Sequence, residues 1–277
     1  MEPLSYEKRG YLNEPFRLFH LADDRHEDIP YHYHSFHKLI FLLAGRAGYA
    51  IEGERYALQP GDYVLVGRGS IHRPVVERGD FYERVVLYIS PEYLQRLSHE
   101  GCDLAHCFRQ AQEDFRYVYR DDGRVREGLA ALEAAAQDSG FGAALLRQAH
   151  FTRLMVEVNR TSLSGGSASA AGGDSKVVAL LQYLNAHLSD PLSIDELAGR
   201  FYISKYHMMR RFHDETGYTI HGYITEKRLL LAQQLLAQGL PLSEVALRCG
   251  YQEYSTFSRA YKKKFGCSPS LDSTICK

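Results

Sequence analysis

A histidine-rich segment near the N-terminus and two arginine-bearing helices near the C-terminus hold the residues whose types and spacing could do chemistry. One design occurs twice, as Leu192–Gly217 and again as Leu242–Gly266. Each copy reads as a short capped helix, a turn, and a second helix carrying arginine and a buried-type aromatic. Two such helix-turn-helix units suit two neighbouring stretches of DNA major groove. The outward positions of the second helices are Lys205, Tyr206, Met209, Arg210 and His213, and then Tyr254, Ser255, Ser258, Arg259 and Lys262. Arginine bonds guanine O6 and N7 as a fork, worth about 1–3 kcal/mol of discrimination, so Arg210 and Arg259 are the candidate base readers. Tyr206 and Met209 suit thymine methyl groups. Lys262, Lys263, Lys264 and Arg228 suit phosphate. The bland alternative for each is a solvated helix face.

These side chains need a scaffold, and the local pattern supplies one. Leu197, Met208 and Phe212 face inward in the first copy, and Val245, Phe257, Tyr261 and Phe265 in the second. Ala198 and Ala246 are small where a partner helix must come close. Ser193 with Glu196 reads as a capping box, Ser204 caps the next helix and Gly217 ends it. Ser243 and Ser255 are expected to repeat the capping roles. A helix from about Ile220 to Ala237 joins the copies. Roughly 18 residues at 1.5 Å each span about 27 Å, near the roughly 34 Å repeat of B-DNA.

The histidines lie in PYHYHSFHKL and SIHRP. His34, His37 and His72 offer three nitrogens, a known metal donor set. In a regular strand His34 and His37 face opposite sides, so such a site needs a bulge or a strand end. The alternative is a ligand-lining or structural role, with no resident metal or other cofactor. Tyr31, His32, His34, His37, Tyr49, His72 and Arg73 would then line a site for a polar small molecule such as a sugar, with Tyr33 nearby. Each tyrosine taken singly reads more simply as core.

Around these histidines, KLIFLLAG, GYAIEGERYAL, DYVLVG and ERVVLYIS are short β-type runs. The turns Glu52-Gly53, Pro60-Gly61-Asp62 and Arg68-Gly69 separate them, as in an all-β sandwich or barrel. From Pro91 the spacing becomes helical, in EYLQRL, Arg124–Asp138 and Ala143–Arg160. Leu145, Ala149, Thr152, Met155, Val156 and Asn159 fall near one stripe of the last. The fold class expected is α+β multidomain: a β-barrel with trailing helices over residues 1–163, a flexible linker over 164–175, and an all-α domain over 176–277.

Residues 174–277 carry 13 Lys/Arg against 10 Asp/Glu, while residues 1–173 carry 20 against 24. A mildly basic end on an acidic body fits a nucleic-acid module attached to something else. No run reaches the roughly 18–20 apolar residues of a membrane span. The start, MEPLSYEKRGYL, has no apolar signal core, so the cytoplasm is expected. Cys102, Cys107, Cys249, Cys267 and Cys276 form no CxxC pair and read as free thiols.

The C-terminal residues carry a resemblance. Ala198, Ser204, Arg210-Arg-Phe212, Glu215-Thr-Gly217, Tyr223-Ile224, Arg228-Leu229, Ala232 and Leu235-Leu236 belong to it. So do Val245-Ala246, Cys249-Gly250-Tyr251, Ser255-Thr-Phe257-Ser-Arg259, Tyr261-Lys262-Lys263, Phe265-Gly266 and Ser268-Pro269. Residues 176–270 resemble the DNA-binding domain of the AraC/XylS family of bacterial transcription regulators. The chain departs at its end, where SLDSTICK replaces the aromatic-Arg pair that usually follows Ser-Pro.

The N-terminal segment is similar to a cupin, through His32-x-His34, Pro60-Gly61-Asp62 and Ile71-His72. Lys38 stands where an enzymatic cupin has a glutamate ligand, and a lysine beside a divalent ion is electrostatically wrong. The resemblance implies a non-enzymatic, ligand-responsive regulator of carbohydrate-use genes. It implies a homodimer formed through the helices of residues 124–160, with double-stranded DNA and RNA polymerase as partners. Two rivals stand beside it: a metal-dependent cupin enzyme, and a constitutive DNA binder without effector.

Overall fold

Short β-branched runs between glycine turns form the first part of the chain. A computed structural model describes residues 12–23, 29–76, 81–164, 172–173 and 175–271. Contacts divide the chain into two units, Met1–Gly173 and Asp174–Lys277. The strands of the first are β1 (Phe16–Asp23), β2 (His37–Gly45), β3 (Ala47–Ile51), β4 (Glu54–Leu58), β5 (Asp62–Val66), β6 (His72–Val75), β7 (Tyr82–Ile89), β8 (Val118–Arg120) and β9 (Gly172–Gly173).

They make two antiparallel sheets, ordered β1-β7-β2-β5-β8 and β6-β3-β4-β9. Glu52 and Gly53 both take positive φ (47° and 82°), the handedness a tight β3–β4 hairpin requires. Leu39, Phe41, Leu65, Leu87 and Ile89 are fully enclosed and form the core of the first sheet. Each such side chain contributes roughly 1.5–3 kcal/mol of burial.

The helices of this unit are α1 (Pro91–Leu97), α2 (His106–Glu113), α3 (Arg124–Ala136) and α4 (Ala143–Leu163). Gly128 on α3 lets α4 approach closely, since a Cβ there would sit 3.0 Å from Leu154 Cδ1. His20 ties α3 to the first sheet, Nδ1 meeting Glu133 at 2.8 Å and Nε2 meeting Glu83 at 2.9 Å. Those two carboxylates raise its pKa.

Several sequence expectations need correction. β1, α2 and β8 are absent from the pattern reading. The buried stripe of α4 is Phe151, Leu154, Met155 and Val158, whereas Leu145 and Ala149 are exposed. The expected linker of residues 164–175 is partly ordered: Gly172–Gly173 pairs with Arg55 and Glu54, and Ser175 opens a helix. Side-chain-free residues accept extended pairing at a sheet edge. Residues 165–171 and 174 lie outside the described residues, as do the start of the chain and the SLDSTICK tail beyond Leu271.

The second unit is helical: α5 (Ser175–Ala186), α6 (Ile194–Arg200), α7 (Lys205–Thr216), α8 (Ile220–Ala237), α9 (Leu242–Arg248), α10 (Tyr254–Phe265) and a 3-10 turn at Pro269–Leu271. Ser193 and Ser204 cap α6 and α7, accepting from the Glu196 and His207 N–H groups. Gly217, at φ 72°, ends α7. Ser243 and Ser255 do not cap. Pro241 and Glu253 hold the N-cap positions without a side-chain bond, leaving both serines inside the first turn. Leu229, Ala232, Leu236, Val245, Ala246, Cys249, Phe257 and Tyr261 form one core cluster across α8, α9 and α10. Among the described residues, no helix is long and apolar enough to cross a membrane.

Candidate DNA-reading face and candidate ligand site

The two recognition helices expose most of the side chains that their phase requires. On α7, Met208 and Phe212 turn inward, which leaves Lys205, Tyr206, Met209, Arg210 and His213 exposed. Tyr206 is 72% and Met209 43% exposed. Lys205 pairs with Asp195, and Arg210 sits 3.8 Å from Asp214. On α10, Phe257 and Tyr261 turn inward; Tyr254, Ser255, Arg259, Lys262 and Lys263 are exposed, and Ser258 is half-buried. Arg259 Nε donates to the Ser255 carbonyl of its own helix at 3.3 Å.

Two cations leave the phosphate set. Arg228 Nε donates to the Leu188 carbonyl at 2.8 Å, and its Nη2 to the Asp190 carbonyl at 2.7 Å. Its guanidinium also lies 5.8 Å from the Tyr251 ring centre, and burial lowers its pKa. Arg228 is therefore a brace inside the domain, filling carbonyls left open beyond α5. Lys264 turns back onto α8, where Nζ meets Glu226 at 2.5 Å with both side chains largely enclosed. Helix phase decides this: Lys262 and Lys263 face solvent and Lys264 faces the core.

In the first unit, the backbone pairs His32 directly with His72, by N–H···O contacts of 3.1 and 2.9 Å. Residue alternation then places His34 on the same face as His32. The three rings meet at centroid separations of 4.4 to 5.0 Å, and one nitrogen from each lies within 4.8 Å of the others. All three are buried. His32 Nδ1 lies 2.8 Å from the Pro30 carbonyl and His72 Nδ1 2.9 Å from the Ser70 carbonyl. A carbonyl only accepts, so both Nδ1 atoms carry a proton, and the neutral form of each ring has its lone pair on Nε2. His72 Nε2 has no hydrogen-bond partner. Burial, followed by the charge of Lys38 and the neighbouring imidazoles, holds the His72 pKa well below its ordinary value.

Lys38 and Tyr88 stand opposite each other on β2 and β7. Lys38 Nζ lies 5.8 Å from the Tyr88 ring centre and donates to the Tyr49 hydroxyl at 3.5 Å. Tyr49 in turn stacks on His72 at 5.9 Å. Burial pushes the Lys38 amine down to about 8. His32, His34, His72, Tyr49, Lys38 and Tyr88 thus form one interior cluster spanning both sheets.

Three sequence candidates fall outside it. His37 faces away, stacked on Phe108 of α2 at 4.4 Å, its Nδ1 accepting from the Arg68 N–H at 3.1 Å. Burial and nearby arginines hold it down to about 3. The proposed trio of His34, His37 and His72 is corrected to His32, His34 and His72, because adjacent strand faces separate His37 from the rest. Arg73 follows His72 and so projects to the opposite face, where its guanidinium lies 4.7 Å above the Tyr31 ring. Tyr88, which pattern alone did not single out, joins the cluster through β2–β7 register.

Comparisons with known proteins match both units. Residues 17–155, half of the chain, match the AraC-like ligand binding domain, and residues 197–271 match a helix-turn-helix domain. The HTH-type transcriptional activator RhaS of Escherichia coli O6:H1 is 26% identical over 255 residues, covering 87% of this chain and 86% of that protein. The C-terminal domain of AraT, a response regulator from Geobacillus stearothermophilus, is 30% identical over 37% of this chain and 85% of its own, with a TM-score of 0.36. ToxT from Vibrio cholerae O395, bound to (E)-4-(8-methylnaphthalen-1-yl)but-3-enoic acid, aligns over 95% of this chain and 100% of its own, at 11% identity and a TM-score of 0.39. The chain belongs to the AraC family of transcription regulators, with an N-terminal ligand-binding domain and a C-terminal helix-turn-helix DNA-binding domain.

Proposed function

We propose that this regulator senses a sugar and activates carbohydrate-use genes, binding DNA as a homodimer in the cytoplasm and carrying out no catalysis of its own. The observation that carries the effector class is the interior cluster. Tyr49 and Tyr88 offer aromatic faces and hydroxyls, Lys38 offers a donor, and inward imidazole nitrogens lie beside them. A polyhydroxylated ligand complements such a mixture of donors, acceptors and ring faces. Activation agrees with the relatives, which are transcriptional activators, and makes RNA polymerase a further partner. Dimerisation through α3 and α4 is supported by Phe141, Leu145 and Leu146, exposed apolar side chains around the start of α4.

On DNA, Arg210 and Arg259 read bases. Lys205, Tyr206, Met209 and His213 flank the first arginine, and Tyr254, Ser255 and Ser258 the second. Lys262 and Lys263 hold phosphate. Effector binding biases dimerisation or the placement of the two helix-turn-helix units.

The test is genome-wide binding in the host, with and without each carbon source. Peaks beside carbohydrate-uptake or glycosidase genes that shift with one sugar support the reading. Discrete peaks indifferent to every nutrient would retain the DNA reader and remove the sugar sensor.

A further inference from the structure

The imidazole side of the interior cluster brings three ring nitrogens together. Two of its three rings have their tautomer set by backbone carbonyls, through Pro30 and Ser70, so that Nε2 is the lone-pair atom. This is the arrangement in which a carbonyl orients a metal-binding histidine and raises its basicity. The nitrogens converge within 4.8 Å, and the His72 Nε2 is fully enclosed without a partner. Leaving such an atom unsatisfied is unfavourable, and a bound ion would satisfy it.

We propose that His32, His34 and His72 bind one divalent transition-metal ion of the zinc, cobalt or nickel class inside the N-terminal domain. Imidazole nitrogens suit these ions, and three protein ligands leave a coordination position for a further oxygen donor. The pairing of His32 with His72 builds the site into the backbone, and His34 completes it from the same face. Lys38 opposes the ion's charge and weakens the site without supplying or removing a ligand. Its amine is held against Tyr49 and Tyr88. The existence of the site does not depend on which effector, if any, enters the domain.

The test uses the tag-free full chain, stripped with chelator and then dialysed against zinc or cobalt chloride without any sugar. One ion per chain by elemental analysis is expected, with visible Co(II) ligand-field absorption characteristic of nitrogen donors. His72→Gln should abolish loading, His37→Gln should retain it, and Lys38→Met should tighten binding about tenfold by removing a like charge. Absence of loading in the wild type, or equal loading in the His72→Gln variant, would overturn the proposal. A variant that fails to fold leaves the wild-type stoichiometry and spectrum decisive. A sugar that stabilises the metal-free chain while no ion binds would preserve the effector reading and remove the metal.

Discussion

The two helix-turn-helix units share a turn but are held in different ways. The Ile203 N–H bonds the Ala198 carbonyl in the first, and the Tyr251 N–H bonds the Ala246 carbonyl in the second. The corresponding left-handed residue is Tyr202 at φ 52° in one and Gly250 at φ 75° in the other. Tyr202 is 92% exposed and touches little. Gly250 packs so tightly that a Cβ would lie 2.6 Å from the Leu188 carbonyl oxygen and 2.7 Å from Arg228 Nη2.

The first unit relies on local serine caps. The second has no side-chain caps on its helices and relies on tertiary ties, Arg228 beneath the turn and Lys264 on Glu226. Sequence similarity between repeats therefore does not transfer stabilising roles from one copy to the other.

The largest expected effect lies in the lysine run. Lys264→Ala strands the buried Glu226 carboxylate and should cost about 3–5 kcal/mol in denaturant unfolding of the full chain. Lys263→Ala should leave stability unchanged and reduce the salt slope of DNA affinity by about 1. Equal effects at the two positions would erase the distinction between tie and phosphate contact.

The turns give the next contrast. Gly250→Ala should cost about 1–3 kcal/mol, since it adds a left-handed strain and a backbone clash. Tyr202→Gly should be neutral or stabilise by up to about 1 kcal/mol, because it relieves the same strain in open space. Thermal unfolding of both variants separates these outcomes; loss of stability in both would mean that Tyr202 has packing of its own.

The smallest contrast is in the caps. Ser204→Ala should cost about 1 kcal/mol, while Ser255→Ala should change stability by a few tenths at most. A matching loss at Ser255 would restore the symmetry that the serines of the sequence imply.

What could be read from sequence follows the range of the interactions. The α8 boundaries, the caps at Ser193 and Ser204, and the inward faces of α7 and α10 depend on neighbours three or four residues away, and pattern reading finds them. The caps expected at Ser243 and Ser255 fail because Pro241 and Glu253 hold the N-cap positions two residues earlier. β8 has three residues and exists through pairing with β5, a long-range partner that no local propensity announces.

The ligand cluster shows the same limit. Residue type and spacing identify His34 and His72, but the choice of His32 over His37 depends on the His32–His72 pairing. Likewise, helix phase turns Lys264 inward, but its partner Glu226 is fixed by the position of α8.

The most direct test of the account is selection from a randomised DNA duplex with the wild type, Arg210→Ala and Arg259→Ala. The account predicts a two-part site in which each variant loses preference in a different half, at about 1–3 kcal/mol per affected base pair. Uniform weakening across all sequences by both variants would contradict it, making these arginines phosphate contacts and placing base readout elsewhere.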